Sequence, residues 1–130
     1  MNQWTGISAK AENELHNAVM QRLFKEKAYL QQGYTMQQMA TELNTNTRYL
    51  RLVFQRRLQK SFNSIINELR IKDAQALLRY QRNKDTNMEK IAVHVGYSNR
   101  QTFYAAFRKL TGLTPNEYRD HFSRANTSEQ

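Results

Sequence analysis

Two short stretches of this chain carry side chains suited to reading a nucleic acid. They are Arg48, Arg51 and Leu52 in the first half, and Arg100, Gln101, Tyr104 and Ala105 in the second. An arginine guanidinium presents a fork of donors that matches O6 and N7 of guanine, and a glutamine amide pairs with N6 and N7 of adenine. Leu52, Tyr104 and Ala105 offer apolar surface of the kind that meets a thymine methyl group. Such side chains discriminate bases only when one rigid element aims them together.

The sequence supplies that element twice. In a helix following Asn46, at about 100° per residue, Leu50, Val53 and Phe54 share one face, while Arg48, Arg51, Leu52 and Gln55 lie opposite. In the second half Phe103, Ala106, Phe107 and Leu110 form the expected buried stripe. Gln101, Tyr104, Ala105 and Arg108 face out there, with Arg100 on the flank. Each of these helices is preceded by a shorter one and a tight turn. The core positions repeat in step: Ala40, Leu43, Leu50 and Phe54 correspond to Ala92, Val95, Phe103 and Phe107. The turns fall on Asn44, which tolerates a left-handed backbone, and on Gly96. Short helix, tight turn, longer helix is the helix-turn-helix layout.

The remaining elements hold these units in place. Leu15, Ala18, Val19, Leu23 and Phe24 recur at three- and four-residue steps, predicting an amphipathic helix over Ala11 to Gln31 that stops near Gly33. Thr35 to Gln38 reads as a capping box opening a short helix to Leu43, and Asn46 caps the next, to about Leu58. Ser61 caps a long helix from Phe62 to Tyr80, after which the polar stretch from Gln81 to Asn87 ends it. Asn87 starts a helix through Val95, Ser98 or Asn99 caps one to Leu110, and Gly112 stops it. Thr114, Pro115 and Glu117 open a last helix to about Phe122. The long helix has an early stripe (Phe62, Ile65, Ile66, Leu69) and a late one nearly opposite (Ile71, Ala74, Leu78), as suits a strut between two lobes. At 1.5 Å per residue it spans roughly 28 Å, close to the roughly 34 Å between successive major grooves on one face of a duplex. The expected fold is all-α and homeodomain-like, with about seven helices forming two helix-turn-helix lobes joined by a linker helix. The segments are a frayed 1–10, a first lobe 11–60, the linker 61–82, a second lobe 83–122 and a disordered tail 123–130.

Charge follows the same map. The chain of 130 residues carries a formal net charge of +9, which favours a polyanionic partner, nucleic acid ahead of membrane. Between Leu43 and Asn67 stand Arg48, Arg51, Arg56, Arg57 and Lys60 with no acid, and between Val95 and Asn116 stand Arg100, Arg108 and Lys109, again with none. With no cysteine, thiolate metal sites and cysteine nucleophiles are excluded. His16, His94 and His121 are scattered without metal-ligand or catalytic spacing, so neither a metal, a cofactor nor enzymatic activity is expected. No apolar run is long enough to span a bilayer and no signal-peptide core is present, which makes the cytoplasm the expected location. One proline and four glycines argue against a turn-rich β architecture.

The second half resembles the AraC/XylS family of bacterial transcription regulators. The residues that carry the likeness are Ile91-Ala92, then Gly96-Tyr97-Ser98, Phe103, Phe107-Arg108-Lys109, and Gly112-Leu113-Thr114-Pro115 followed by Tyr118-Arg119. The first half fits more loosely through Ala40, Leu43, Leu50, Phe54, Phe62, Arg70, Ala74 and Leu77-Leu78. It departs at Asn44 and Gln59, where the family often has glycine. The resemblance implies a regulator, an activator acting through RNA polymerase, with two helix-turn-helix lobes in adjacent major grooves of double-stranded DNA. By position, base contacts fall on Arg48, Arg51, Leu52, Arg100, Gln101, Tyr104 and Ala105. Phosphate contacts fall on Asn46, Thr47, Gln55, Asn99, Thr102, Arg108 and Lys109, which orient the protein without reading sequence. The resemblance also implies a sensing or dimerising domain, expected to lie outside these residues. The alternative that the residues leave open is a sequence-blind basic nucleic-acid-binding protein.

Overall fold

Each helix begins where a side chain accepts hydrogen bonds that the first turn cannot make internally. Ser8 accepts from the Ala11 N–H, Thr35 from Gln38, Asn46 from Tyr49, and Ser61 from Ser64. Asn87 accepts from Glu89 and Lys90, Asn99 from Thr102, and Thr114 from Glu117. These caps open the seven α-helices seen among the described residues of the computed structural model. They are α1 (Ala9–Met20), α2 (Met36–Glu42), α3 (Thr47–Val53), α4 (Phe62–Tyr80), α5 (Met88–His94), α6 (Arg100–Thr111) and α7 (Pro115–Ser128). The structure describes residues 6–80 and 87–128, with side chains through 122. Residues 1–5 of the expected frayed segment, residues 81–86 of the expected polar stretch and the last two residues of the expected tail lie outside the described residues.

The chain divides into two units. One runs to Ala28 and resumes from Tyr34 to Ile65; the other takes Tyr29–Gly33 and everything from Ile66 onward. In the first unit, Leu15, Val19 and Leu23 are buried with Met39, Ala40, Leu50, Val53 and Phe54. Phe62 joins them edge-on to Phe54, ring centroids 5.6 Å apart. The second unit's core gathers Ile71, Ala74 and Leu78 of α4 with Met88, Ile91, Ala92, Val95, Tyr97, Phe103, Phe107 and Tyr118. The early stripe of α4 is divided: Phe62 and Ile65 belong to the first unit, while Ile66 and Leu69 fall with Ile71, Ala74 and Leu78 in the second. The helix expected as a separate linker is shared between the units, its early turn in one and the rest in the other.

Two helix ends differ from the sequence expectation, and two residues leave the expected buried stripes. The first helix does not reach Gln31: after a π-helical turn at Gln21–Lys25, Lys27 takes a left-handed backbone (φ 52°) and breaks it. Burial of Ala28 and Tyr29 outweighs the local preference to continue. Phe24 leaves the apolar stripe in that π-helical turn and is half exposed, and Leu110, in the last turn of α6 beyond Phe107, is exposed as well. The last helix passes Phe122 and continues to Ser128, since the chain there holds no glycine or proline to stop it.

After the break, Tyr29–Gly33 forms a strap belonging to the second unit. Arg70 Nε donates to the Tyr29 carbonyl at 2.7 Å and Nη2 to the Gln31 carbonyl at 3.1 Å. The Tyr29 hydroxyl donates to Asp73 at 2.7 Å. The Arg70 guanidinium lies 5.2 Å from the centre of the Tyr97 ring, whose hydroxyl donates to Asn67 at 2.8 Å. Leu30 packs on the second core.

At the end of α3 a second π-helical turn, Phe54–Leu58, carries the helix to Gln59, which is left-handed (φ 57°, ψ 27°). A side chain with a Cβ costs roughly 1 kcal/mol in that conformation. Gln59→Gly is therefore expected to raise stability by up to about 1 kcal/mol, part of the gain being returned as unfolded-state entropy. A denaturation midpoint that falls instead would mean the glutamine side chain makes a stabilising contact.

Candidate nucleic-acid interface

In the first unit α2 ends with Leu43 as cap, Asn44 turns the chain at φ 59°, and the Thr45 N–H donates to the Ala40 carbonyl at 2.8 Å. Asn46 then caps α3. The second unit repeats the construction: Val95 caps α5, Gly96 turns at φ 108°, the Tyr97 N–H donates to the Ala92 carbonyl at 2.9 Å, and Asn99 caps α6. The two turns are matched bond for bond. In both, the helix after the turn is pinned from behind by fully buried residues, Leu50 and Val53 in one and Phe103 and Phe107 in the other.

What those helices turn outward is polar and basic. Arg48, Arg51 and Gln55 are exposed on α3, with Thr47 and Leu52 half-buried beside them. Arg51 and Gln55 also border an open groove of about 490 Å³ that is lined too by Gln59, Lys60 and Ser61, just before α4. On α6, Arg100, Gln101, Thr102, Ala105, Arg108 and Lys109 are exposed, and Tyr104 is half-buried. Asn46 and Asn99 are exposed caps whose side-chain oxygens accept a backbone N–H, and the Asn99 amide also donates to the Ser98 hydroxyl at 3.4 Å.

The profile of the family described as a helix-turn-helix domain matches residues 39–121, from inside α2 to α7. The chain belongs to the AraC-type helix-turn-helix family. It is 29% identical over 119 residues to the raffinose operon transcriptional regulatory protein of Pediococcus pentosaceus, covering 88% of this chain and 39% of that protein. It is 31% identical over 88 residues to the melibiose operon regulatory protein of Escherichia coli, covering 68% of this chain and 28% of that protein. This AraC-type domain therefore spans well under half the length of either relative. Among solved structures, the C-terminal domain of AraT, a response regulator from Geobacillus stearothermophilus, superposes with a TM-score of 0.71 at 29% identity, covering 80% of this chain and 84% of that one.

The AraC-type domain keeps the expected side chains on each helix face, but its basic run in the first unit divides. Arg56 and Arg57 both reach Glu12 of α1, at 2.6 and 2.9 Å, and Arg57 also donates to Asn13. Counting them with Arg48 and Arg51 as one basic face is therefore incorrect, because the π-helical turn at Phe54–Leu58 directs them to α1. Burial raises the Glu12 carboxyl, yet the hydrogen bonds and charges of Arg57 and Arg56 outweigh it and hold it below the ordinary carboxylate range. Similarly, Glu42 at the end of α2 accepts from Arg22 and from the Tyr34 hydroxyl, and is held low chiefly by the Arg22 bond.

One residue escaped the sequence reading. Asn116, on the first turn of α7, donates through Nδ2 to the Tyr104 hydroxyl at 2.8 Å. Helical periodicity carries no signal for a contact between two helices' side chains.

Among the described residues no helix is long and apolar enough to cross a membrane, and no group of three or more His, Asp or Glu side chains is placed to hold a metal.

Proposed function

We propose that this chain is the sequence-reading DNA-binding part of a transcription regulator, one unit laying α3 and the other α6 into a major groove and the two taking successive grooves. One observation carries this reading: α3 and α6 each hold a buried stripe behind an exposed face of arginine and glutamine, in matched turns, in a member of a DNA-binding family. In the proposal Arg48, Arg51 and Leu52 meet bases in one groove, and Arg100, Gln101, Tyr104 and Ala105 in the next. Asn46, Thr47, Gln55, Asn99, Thr102, Arg108 and Lys109 hold phosphates. On this reading the chain binds rather than catalyses, works in the cytoplasm, and serves an activator that engages RNA polymerase. The sensing or dimerising function then belongs to a domain outside this one.

The test is selection from a randomised duplex pool of about 20 base pairs, then titration of the winner at several salt concentrations. Two enriched elements about one helical turn apart are expected. Steep salt dependence with no enrichment would leave a sequence-blind binder. Arg51→Ala is expected to cost about 1–3 kcal/mol of binding and to relax preference at one base pair. Uniform weakening on all duplexes would make Arg51 a phosphate contact. Lys109→Ala should weaken every duplex alike and reduce the salt slope by about one; an unchanged slope would remove it from the phosphate set.

A further inference from the structure

On α6 the geometry points to a positioning relay, Asn116 to Tyr104 to Arg100, that fixes the arginine before DNA arrives and so sets base preference in the second unit. It rests on the proposal that Arg100 meets a base. Arg100 and Tyr104 stand four apart on one helix face, where side chains are neighbours. The guanidinium carbon lies 4.7 Å from the centre of the Tyr104 ring, and Nη2 donates to the Tyr104 hydroxyl oxygen at 3.2 Å. That oxygen accepts a second bond from Asn116 Nδ2 at 2.8 Å. Two accepted bonds fill the lone pairs of a phenol oxygen, leaving its own hydrogen to point away from both donors.

The anchor at the far end is rigid. Asn116 follows Pro115, which is fully buried. The turn is closed by a reciprocal capping box: the Glu117 N–H donates to the Thr114 hydroxyl at 3.1 Å and the Thr114 N–H to the Glu117 carboxylate at 2.8 Å. Hydrogen bonding by Thr114 to the carboxylate, from its backbone N–H first and its side chain second, holds the Glu117 carboxyl below its ordinary range. The ring of Tyr104 is braced from the core side by Phe103, 6.0 Å away and nearly perpendicular. An unsupported arginine has many rotamers to lose when it binds a base edge, whereas a stacked and hydrogen-bonded one has already lost most of them. In this arrangement the Tyr104 hydroxyl contributes to recognition through Arg100, apart from the base contact proposed for its ring.

The experiment measures, on the selected duplex and its single-base variants, the discrimination ratio at each base pair for the whole chain and for Arg100→Ala, Tyr104→Phe, Asn116→Ala and the Tyr104→Phe/Asn116→Ala double variant. Thermal melting is followed in parallel. Tyr104→Phe keeps the ring and removes only the hydroxyl, so the fold is expected to survive. Both single variants should lower discrimination about threefold to tenfold at the base pair that Arg100→Ala relaxes. The salt slope and the binding of bulk DNA should not move. The double variant should be no worse than either single one, because both cut the same relay.

If Arg100→Ala leaves every base preference intact, the base-contact reading fails and the relay with it. The relay alone is overturned if Arg100→Ala relaxes one base pair while Tyr104→Phe and Asn116→Ala relax none. It is also overturned if Tyr104→Phe relaxes a different base pair, which would make the Tyr104 hydroxyl itself a base contact rather than a support for Arg100. Should Tyr104→Phe melt early, Asn116→Ala decides by the same criteria.

Discussion

A Gly96→Ala chain is expected to lose about 3–5 kcal/mol of stability, concentrated in the second unit. The added methyl would stand 2.6 Å from the Tyr29 carbonyl oxygen and 2.7 Å from Arg70 Nε. Neither neighbour can easily give way, because these two atoms are hydrogen-bonded to each other at 2.7 Å. The backbone adds its own penalty, since φ is +108° there, a conformation that L side chains rarely adopt. Chemical denaturation of wild type and variant gives the difference directly, and hydrogen exchange at α5 and α6 shows where it falls. A loss below about 1 kcal/mol would mean that the strap shifts aside at little cost. The matching position in the first unit makes the contrast. Asn44 turns the chain at φ 59°, within the left-handed basin that asparagine tolerates, so a side chain is accommodated there.

Phe107→Ala is the second large effect, about 3–5 kcal/mol. The ring is fully buried, packed edge-to-face with Phe103 at 5.8 Å and with Tyr118 at 5.4 Å. Its removal opens a cavity between α6 and α7 and also loses two aromatic contacts beyond the area term. Because Phe107 lies behind the outward face of α6, DNA affinity at temperatures near the variant's melting point should fall along with stability. It should recover on cooling to where the variant is folded. A variant that melts within about 3 °C of wild type would show that the α6–α7 contact relaxes to fill the space.

Much of this was legible because it is local. A cap and the N–H it serves lie two or three residues apart, as with Asn46 and Tyr49 or Asn99 and Thr102. The buried faces of α3 and α6 follow the helical period, and turns at Asn44 and Gly96 follow from the conformations those residues tolerate. The pairs that escaped are distant in sequence: Arg70 with Tyr29, 41 residues apart, and Arg57 with Glu12, 45 apart. Both depend on where the backbone leaves the regular helix, at Lys27 and at the π-helical turn of Phe54–Leu58. Periodicity assumes the helix continues and so misplaces the residues beyond each departure. The same limit explains Phe24, counted with the apolar stripe and found exposed. At the candidate interface, the sequence could assign residue types to a face, but the bonds joining Arg100, Tyr104 and Asn116 required the position of α7.

The strap has a bearing on how the molecule comes to be. During synthesis Tyr29–Gly33 leaves the ribosome well before the residues it packs against, and Arg70 follows Tyr29 by 41 positions. Closing that interval is a non-local step, slower than forming any of the capped helices. The first unit can collapse while the strap still waits, its carbonyls in water. The second unit is complete only when a segment made early and a core made late are joined, so its maturation is tied to the chain that precedes it.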